Sequence, residues 1–322
     1  MSNHLHLQVE KKSRLLIIIF FLCTSISFFA QEECLIIGRT TGELSIKEKL
    51  NIRVFGFSSS LSGQVTLPGV SINVIEGDSV NIDFWNISQG NPVSLYCESI
   101  EFLQKEENGK VMKEKKPIDH MEHGFYSFKA EKPGVYLYYS PENNPFNFQA
   151  GMFGTIIIQP KKNDSLSEKK GNEALWCSHE IDTKWHTDQI MNVAHDDINK
   201  PIVLPKYNPD YFLINGKMIK DIKGLQSLND IKSKGVLLRL VNSGLYLHEI
   251  ALPSSMKFKL IFGDANHVLV SSKEIKIQLY PKECLELLLF LENVEEKERI
   301  LYRFIDPILK KVHFKANIPV FY

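Results

Sequence analysis

The chain has 322 residues, 43% of them hydrophobic and 24% charged, enough apolar material for two ordinary cores and too much for a disordered tail or a small disulfide-stapled module. Its 38 Lys and Arg balance 38 Asp and Glu, so no global field gathers nucleic acid or anionic lipid over the whole surface, and no nucleic-acid partner is expected. Only six of the cations are Arg (Arg14, Arg39, Arg53, Arg239, Arg299 and Arg303), which is sparse for a protein that grips phosphates in bidentate fashion.

At the N-terminus, Lys11, Lys12 and Arg14 precede the apolar run Leu15 to Ala30, a charged region followed by a hydrophobic one too short for a membrane span. This predicts a secretory signal over residues 1–30, cleaved near Ser27 or Ala30, with export to a periplasm or extracellular space and no stable span after its removal. Cys23 follows Leu22, not a small residue, which departs from the bacterial lipoprotein pattern. Cleavage leaves Cys34, Cys97, Cys177 and Cys284, an even number in a compartment where disulfides persist; three pairings stay open, and the absence of C-x-x-C gives a structural zinc site no support.

Beyond Gln31 the text is short alternating or β-branched runs broken by Gly, Pro and Asn. Strands are expected at Leu35 to Ile37, Ile52 to Phe57, Ser71 to Val74, Val80 to Asn86, Gly124 to Ala130, Val135 to Tyr139 and Thr155 to Ile158. Turn signals at Pro68-Gly69, Glu76-Gly77-Asp78 and Lys132-Pro133-Gly134 separate them. The polar stretch from Lys161 onward reads as a linker over 161–175, dividing a first all-β unit at 31–160 from a second at 176–322. Strands in the second are expected at Tyr211 to Ile214, Gly235 to Val241, Leu245 to Leu252, Phe258 to Phe262, His267 to Val270, Ile275 to Leu279, Leu285 to Leu291 and Leu301 to Phe304. The repeated grammar suggests tandem duplication of an antiparallel β-sandwich. Glu292 to Arg299 reads as a solvated turn. No G-x-S-x-G, G-K-(S/T), H-E-x-x-H or G-x-G-x-x-G occurs, so hydrolase, nucleotide and zinc-protease readings lack their devices.

Several ordered motifs are more specific. The first unit carries Leu67-Pro68-Gly69-Val70, then Glu76-Gly77-Asp78, then Pro133-Gly134-Val135-Tyr136, and closes with Gly151-Met152-Phe153-Gly154. The second carries Tyr211-Phe212-Leu213-Ile214-Asn215-Gly216-Lys217 and Arg239-Leu240-Val241-Asn242-Ser243-Gly244. From about Ile52 to Tyr322 the chain resembles the multicopper oxidases and copper nitrite reductases. The resemblance implies an all-β fold of two tandem cupredoxin-like Greek-key β-sandwiches, copper as the cofactor, and a homo-oligomer, a trimer in the two-domain relatives.

The family's ligand positions read differently here. A blue copper centre needs a thiolate and two imidazoles. Where the resemblance places imidazoles after the third strand, the sequence is Pro92-Val93-Ser94-Leu95-Tyr96-Cys97, with Cys97 at a histidine position. The thiolate position is Ser140, in Tyr138-Tyr139-Ser140, and H-x-x-x-G-M becomes Asn147 to Met152, which keeps the axial methionine position and not the histidine. In the second unit one imidazole of four remains, His248, and the terminal F-H-x-H is Phe304-Ile305-Asp306-Pro307.

The other donors are scattered. His120, His123, Met112 and Met121 lie in the charged insertion Lys105 to Gly124, either a weak copper-binding loop or a solvated hairpin. Cys177 and His179 sit at a two-residue spacing that shares a strand face, either a donor pair or a structural cysteine beside a surface histidine. Trp185-His186 and His195-Asp196-Asp197 form a polar connector with a short helical turn, either a site or a solvated cluster. His248 is expected to make one hydrogen bond at the old domain interface, and Met152 to pack.

The resulting expectation is an exported multicopper-oxidase-like protein without the family's copper ligands and with no cofactor, serving as a non-catalytic binding or structural protein with an unidentified protein or small-molecule partner. The alternative is a copper-binding oxidoreductase or copper carrier that uses His120, His123, Met121 or Cys97 in place of family ligands.

Overall fold

The computed structural model describes residues 31–47, 50–161, 170–193, 202–225 and 235–322. The expected signal segment and the His195-Asp196-Asp197 cluster lie outside the described residues, as does most of the expected linker.

The first half contributes β1 (Gln31–Lys47), β2 (Leu50–Ser58), β3 (Ser71–Ile75), β4 (Ser79–Asn86), β5 (Tyr96–Cys97), β6 (Leu103–Lys105), β7 (Glu122–Lys129), β8 (Gly134–Tyr139), the short helix α1 (Phe146–Ala150) and β9 (Phe153–Gln159). They form two facing sheets, β2-β1-β4-β7-β6 and β3-β9-β8-β5, around a core that includes Phe55, Phe84, Tyr126 and Tyr138.

The second half contributes β10 (Lys170–Ile181), β11 (Tyr211–Ile214), β12 (Lys217–Met218), β13 (Gly235–Asn242), β14 (Leu247–Pro253), β15 (Lys257–Phe262), β16 (Val268–Val270), β17 (Glu274–Leu279), β18 (Cys284–Phe290), β19 (Arg299–Ile305) and β20 (Val312–Pro319). Their sheets are β12-β11-β10-β13-β18-β15 and β16-β17-β14-β19-β20, with Leu238, Leu287, Tyr302 and Phe304 among the core residues between them. β10 takes in residues 170–175 of the stretch read as a linker. Each half has a parallel pair within an otherwise antiparallel sheet, β3 with β9 and β10 with β13. The architecture is the all-β, cupredoxin-like double sandwich that the motifs imply.

The two sandwiches share a third core. Strand β8 is buried along its whole length because alternate side chains serve different layers. Tyr136 and Tyr138 enter the first core, while Val135, Leu137 and Tyr139 face Cys177, Leu213 and Val241 of the second half. Strand β13 repeats the device: Val236, Leu238 and Leu240 fill the second core, and on its other face buried Arg239 bonds Glu286 at 2.8 Å and also pairs with Glu173. β8 therefore reads as a continuous apolar run, the pattern of a sheet covered on both faces, and β13 does so apart from its buried, paired Arg239. Gly154 lets the Tyr138 ring lie against β9, since a Cβ there would overlap it, and the Tyr138 hydroxyl donates to Val70 O at 2.7 Å.

Candidate functional site

The end of β8, the loop before α1 and the loop before β5 meet at one point, and that point is where the motif alignment places the ligand positions. Ser140 follows β8; its backbone N–H donates to Met152 O at 3.0 Å, and Met152 N–H donates to Asn147 O at 3.0 Å. The Asn147 side-chain amide donates to Ser140 Oγ at 3.3 Å. Glu142, for which sequence reading assigns no role, joins the set: its carboxylate accepts from Ser140 Oγ at 2.6 Å, from the Ser94 N–H at 3.0 Å, and from the Ser94 hydroxyl. Ser140, Asn147 and Met152 are fully buried, and Asn147 Oδ1 has no partner within the described residues. The positions are adjacent in space, and their side chains are two hydroxyls, an amide, a carboxylate and a thioether.

His248, the imidazole that the resemblance places at a family ligand position, lies in a second polar centre, inside the other sandwich. His248 on β14 is fully buried; its Nε2 donates to Glu180 Oε2 at 2.9 Å and its Nδ1 lies 2.7 Å from Ser178 Oγ. Tyr302 donates to the same Ser178 hydroxyl at 2.6 Å. Glu180 also accepts the backbone N–H groups of Leu245 and Tyr246. Burial pushes the Glu180 carboxyl up, but the His248 hydrogen bond and charge, with His179 and the Tyr246 N–H, bring it below the usual range. Gly244 gives the carboxylate room, because a Cβ there would overlap it. The hydroxyl, imidazole and carboxylate stand in the order of a hydrolytic triad, yet His248, Ser178 and Glu180 are all fully buried and no substrate reaches them. His248 thus makes its hydrogen bonds within the second sandwich and not between domains.

The junction between the sandwiches holds two further imidazoles. His179 is buried rather than on the surface: its Nδ1 lies 2.7 Å from Ser243 O and its Nε2 3.0 Å from Gln149 O of α1. Cys177 shares that strand face and bonds Ser243 Oγ at 3.3 Å. His186 ends a 3-10 turn, Thr183–His186, and is buried, not solvated. Its Nδ1 donates to Arg53 O at 2.7 Å, and its Nε2 lies 3.2 Å from the Gln149 side-chain amide. Burial lowers the pKa of both rings, that of His186 to about 4.

The remaining candidates do not converge. His120 Nδ1 lies 2.6 Å from Ser88 O. His123 belongs to β7, 3.4 Å from Asp83 and with its ring centroid 4.5 Å from that of Trp85. Met121 is 65% exposed. Cys97 stands on β5, in the opposite sheet from His123. Cys34, Cys97, Cys177 and Cys284 are all free thiols, so none of the three open pairings is made. Burial raises every one of them, Cys34 to about 11 and Cys177 to about 12, which keeps them protonated and poor ligands at neutral pH. Cys97 and Cys284 line a common cavity of about 260 Å³ between the sandwiches. Among the described residues no three His, Cys, Asp or Glu side chains are grouped to hold a metal ion.

A family model for multicopper oxidase matches residues 60–163, the segment that builds the Ser140–Asn147–Met152 cluster. This segment is similar to a multicopper oxidase domain. Two solved structures show how far the fold likeness extends beyond it. The blue copper oxidase from Nitrosomonas europaea superposes with a TM-score of 0.62 at 17% identity, covering 85% of this chain and 79% of that one. The copper nitrite reductase from the same organism gives 0.60 at 18% identity, covering 90% and 94%. No curated protein matches the chain in sequence. The multicopper oxidase fold thus runs through both sandwiches, and no helix among the described residues is long and apolar enough to cross a membrane.

Proposed function

We propose that this chain is an exported multicopper-oxidase-like protein that has lost the family's copper ligands and acts by binding a protein or small-molecule partner, with no catalysis of its own. One observation carries the reading: Asn147, at an imidazole position, bonds Ser140 at the thiolate position, and Ser140 and Ser94, the latter from the 92–97 segment that lacks the expected imidazoles, both bond Glu142. A centre that cycles copper needs a thiolate and two imidazoles around it, and hydroxyl, amide and carboxylate groups held in mutual hydrogen bonds do not fit that ion. Met152 is left as a packing residue. Export rests on the charged and apolar N-terminal segment, and the family resemblance makes a homo-trimer the expected assembly. The rival copper carrier would need His120, His123 and Cys97 to converge across two sheets.

The test is to load purified protein with excess Cu(II), dialyse, count copper per chain by elemental analysis and record the visible spectrum. A folded protein that retains no copper is the expected result. One tightly held copper per chain, above all with a thiolate absorption band, overturns the proposal.

A further inference from the structure

The β19–β20 hairpin ends in a tied turn that holds two aliphatic side chains out of the fold. Asp306 Oδ1 accepts the backbone N–H groups of Ile308 at 2.8 Å and Leu309 at 2.9 Å. Asp306 N–H donates to Lys311 O and Lys310 N–H to Asp306 O, both at 2.9 Å, and Lys310 closes the loop with a left-handed φ of 56°. At its tip Ile308 is 86% and Leu309 56% exposed. Lys310 and Lys311 follow at once and are exposed too. Two lysines thus follow a tip whose carboxylate, Asp306, is engaged in the turn.

Two adjacent exposed aliphatic side chains are a small apolar surface, and the lysines that follow them supply the charge that sets this tip apart. Their area is far below the roughly 800 Å² per partner of a stable protein interface, so a second copy or a globular partner is poorly matched to them. A lipid surface asks for much less. A short apolar tip buried about 5–10 Å into the boundary between headgroups and acyl chains, with lysines at the phosphates, is sufficient for reversible docking on anionic bilayers. We propose that the Ile308-Leu309 tip docks on anionic membrane surfaces, the aliphatic pair entering the bilayer boundary while Lys310 and Lys311 contact lipid phosphates. The proposal stands apart from the fate of the copper ligands.

The full chain carrying Ile308→Trp, with wild type as the fluorescence background, is titrated with phosphatidylglycerol or phosphatidylcholine vesicles containing brominated lipid. Because the probe sits at the tip, the apolar residues 15–30 do not confuse the reading. The expected result is a blue shift and quenching on phosphatidylglycerol, with apparent affinity at least tenfold lower when K310E and K311E are added, and no quenching on phosphatidylcholine. A tip tryptophan that stays unquenched overturns the proposal, as does equal quenching on both lipids. A blue shift that grows with protein concentration in the absence of vesicles overturns it in favour of self-association. In parallel, I308S/L309S should keep the wild-type melting temperature and lose the preference for phosphatidylglycerol; retention of that preference also refutes the assignment.

Discussion

Acid should loosen the junction between the sandwiches through His186. Burial pushes this imidazole down to about 4, with the Arg53 carbonyl opposing the shift and His179 adding to it. In the unfolded chain the ring titrates near ~6.5. Between those values the unfolded state holds a proton that the folded state does not, so stability is complete above about pH 6.5 and falls as the pH drops towards about 4. Linkage with these two values gives a loss of about 2 kcal/mol by about pH 5 and about 3 kcal/mol once both states are protonated. Set against a total of ~5–15 kcal/mol for folded proteins, that is a large fraction. The assay is urea unfolding at about pH 7.5 and about pH 5, followed by fluorescence of Trp185, which is buried one residue away, in wild type and H186Q. His179 is also lowered by burial and adds to the wild-type slope in the same direction, so the difference between the two proteins isolates His186. H186Q should show a stability change about 2 kcal/mol smaller than wild type across that interval. Equal slopes in the two proteins would refute the assignment of a neutral, buried His186 at the junction.

Three further outcomes follow from the polar centres. Glu180→Ala strands three buried donors, from Leu245, Tyr246 and His248, and should cost about 3–5 kcal/mol in urea unfolding, whereas E180Q keeps an acceptor and should cost clearly less; equal effects would show that the carboxylate's charge and geometry are irrelevant. Gly244→Ala drives a methyl into that same carboxylate and should lower stability by about 1–3 kcal/mol, so an unchanged melting temperature would mean that Glu180 is free to move. The triple variant S94H/S140C/N147H, which puts one imidazole at Ser94 because Ser94 and not Cys97 shares Glu142 with Ser140, rebuilds a thiolate, two imidazoles and a thioether with Met152 in place; it should retain copper through dialysis and gain an intense visible band. A folded triple variant that stays colourless would mean these are not the ligand positions.

Most of the fold was legible because the strands that build it follow the period of two or, where both faces are covered, run continuously apolar. The expected strands at Ile52 to Phe57, Ser71 to Val74, Val135 to Tyr139 and Gly235 to Val241 fall within β2, β3, β8 and β13. β20 carries the same signal at Val312, Phe314, Ala316 and Ile318, alternating with His313, Lys315 and Asn317. β10 is harder: one of the two readings of His179 is a surface histidine, and only the pairing of β10 with β11 and β13 buries it. Motif order alone places Ser140, Asn147 and Met152 at ligand positions, but it does not find Glu142, because a carboxylate three residues beyond a strand end looks like any solvated turn. His179 and His186 were misplaced for the same reason. Whether a histidine is solvated depends on the partner sandwich, and local spacing carries no information about it.

The two polar centres are built alike, and this bears on what has replaced the metal in the proposed reading. An ionised carboxylate offers about four acceptor sites and no donor, so one side chain can gather several loops. Glu142 gathers the Ser94 N–H, the Ser94 hydroxyl and Ser140; Glu180 gathers the Leu245 and Tyr246 N–H groups and His248. A copper ion would likewise tie several loops to one centre, but it also changes oxidation state, which a carboxylate does not. Replacing the ion by carboxylates keeps the architectural role and gives up the redox one. A lineage that needed only the shape of the double sandwich would be held to the first role alone, and the partial satisfaction of the first centre fits that history. Asn147 Oδ1 remains buried without a partner, a cost of about 1–3 kcal/mol that a group shaped for this position would not carry. Glu142 should therefore matter more for the order of the 92–97 and 140–147 loops than for global stability, so E142Q should raise amide exchange in those loops while leaving the unfolding midpoint within about 1 kcal/mol of wild type. Exchange unchanged in both loops would show that the carboxylate is not the group that holds them.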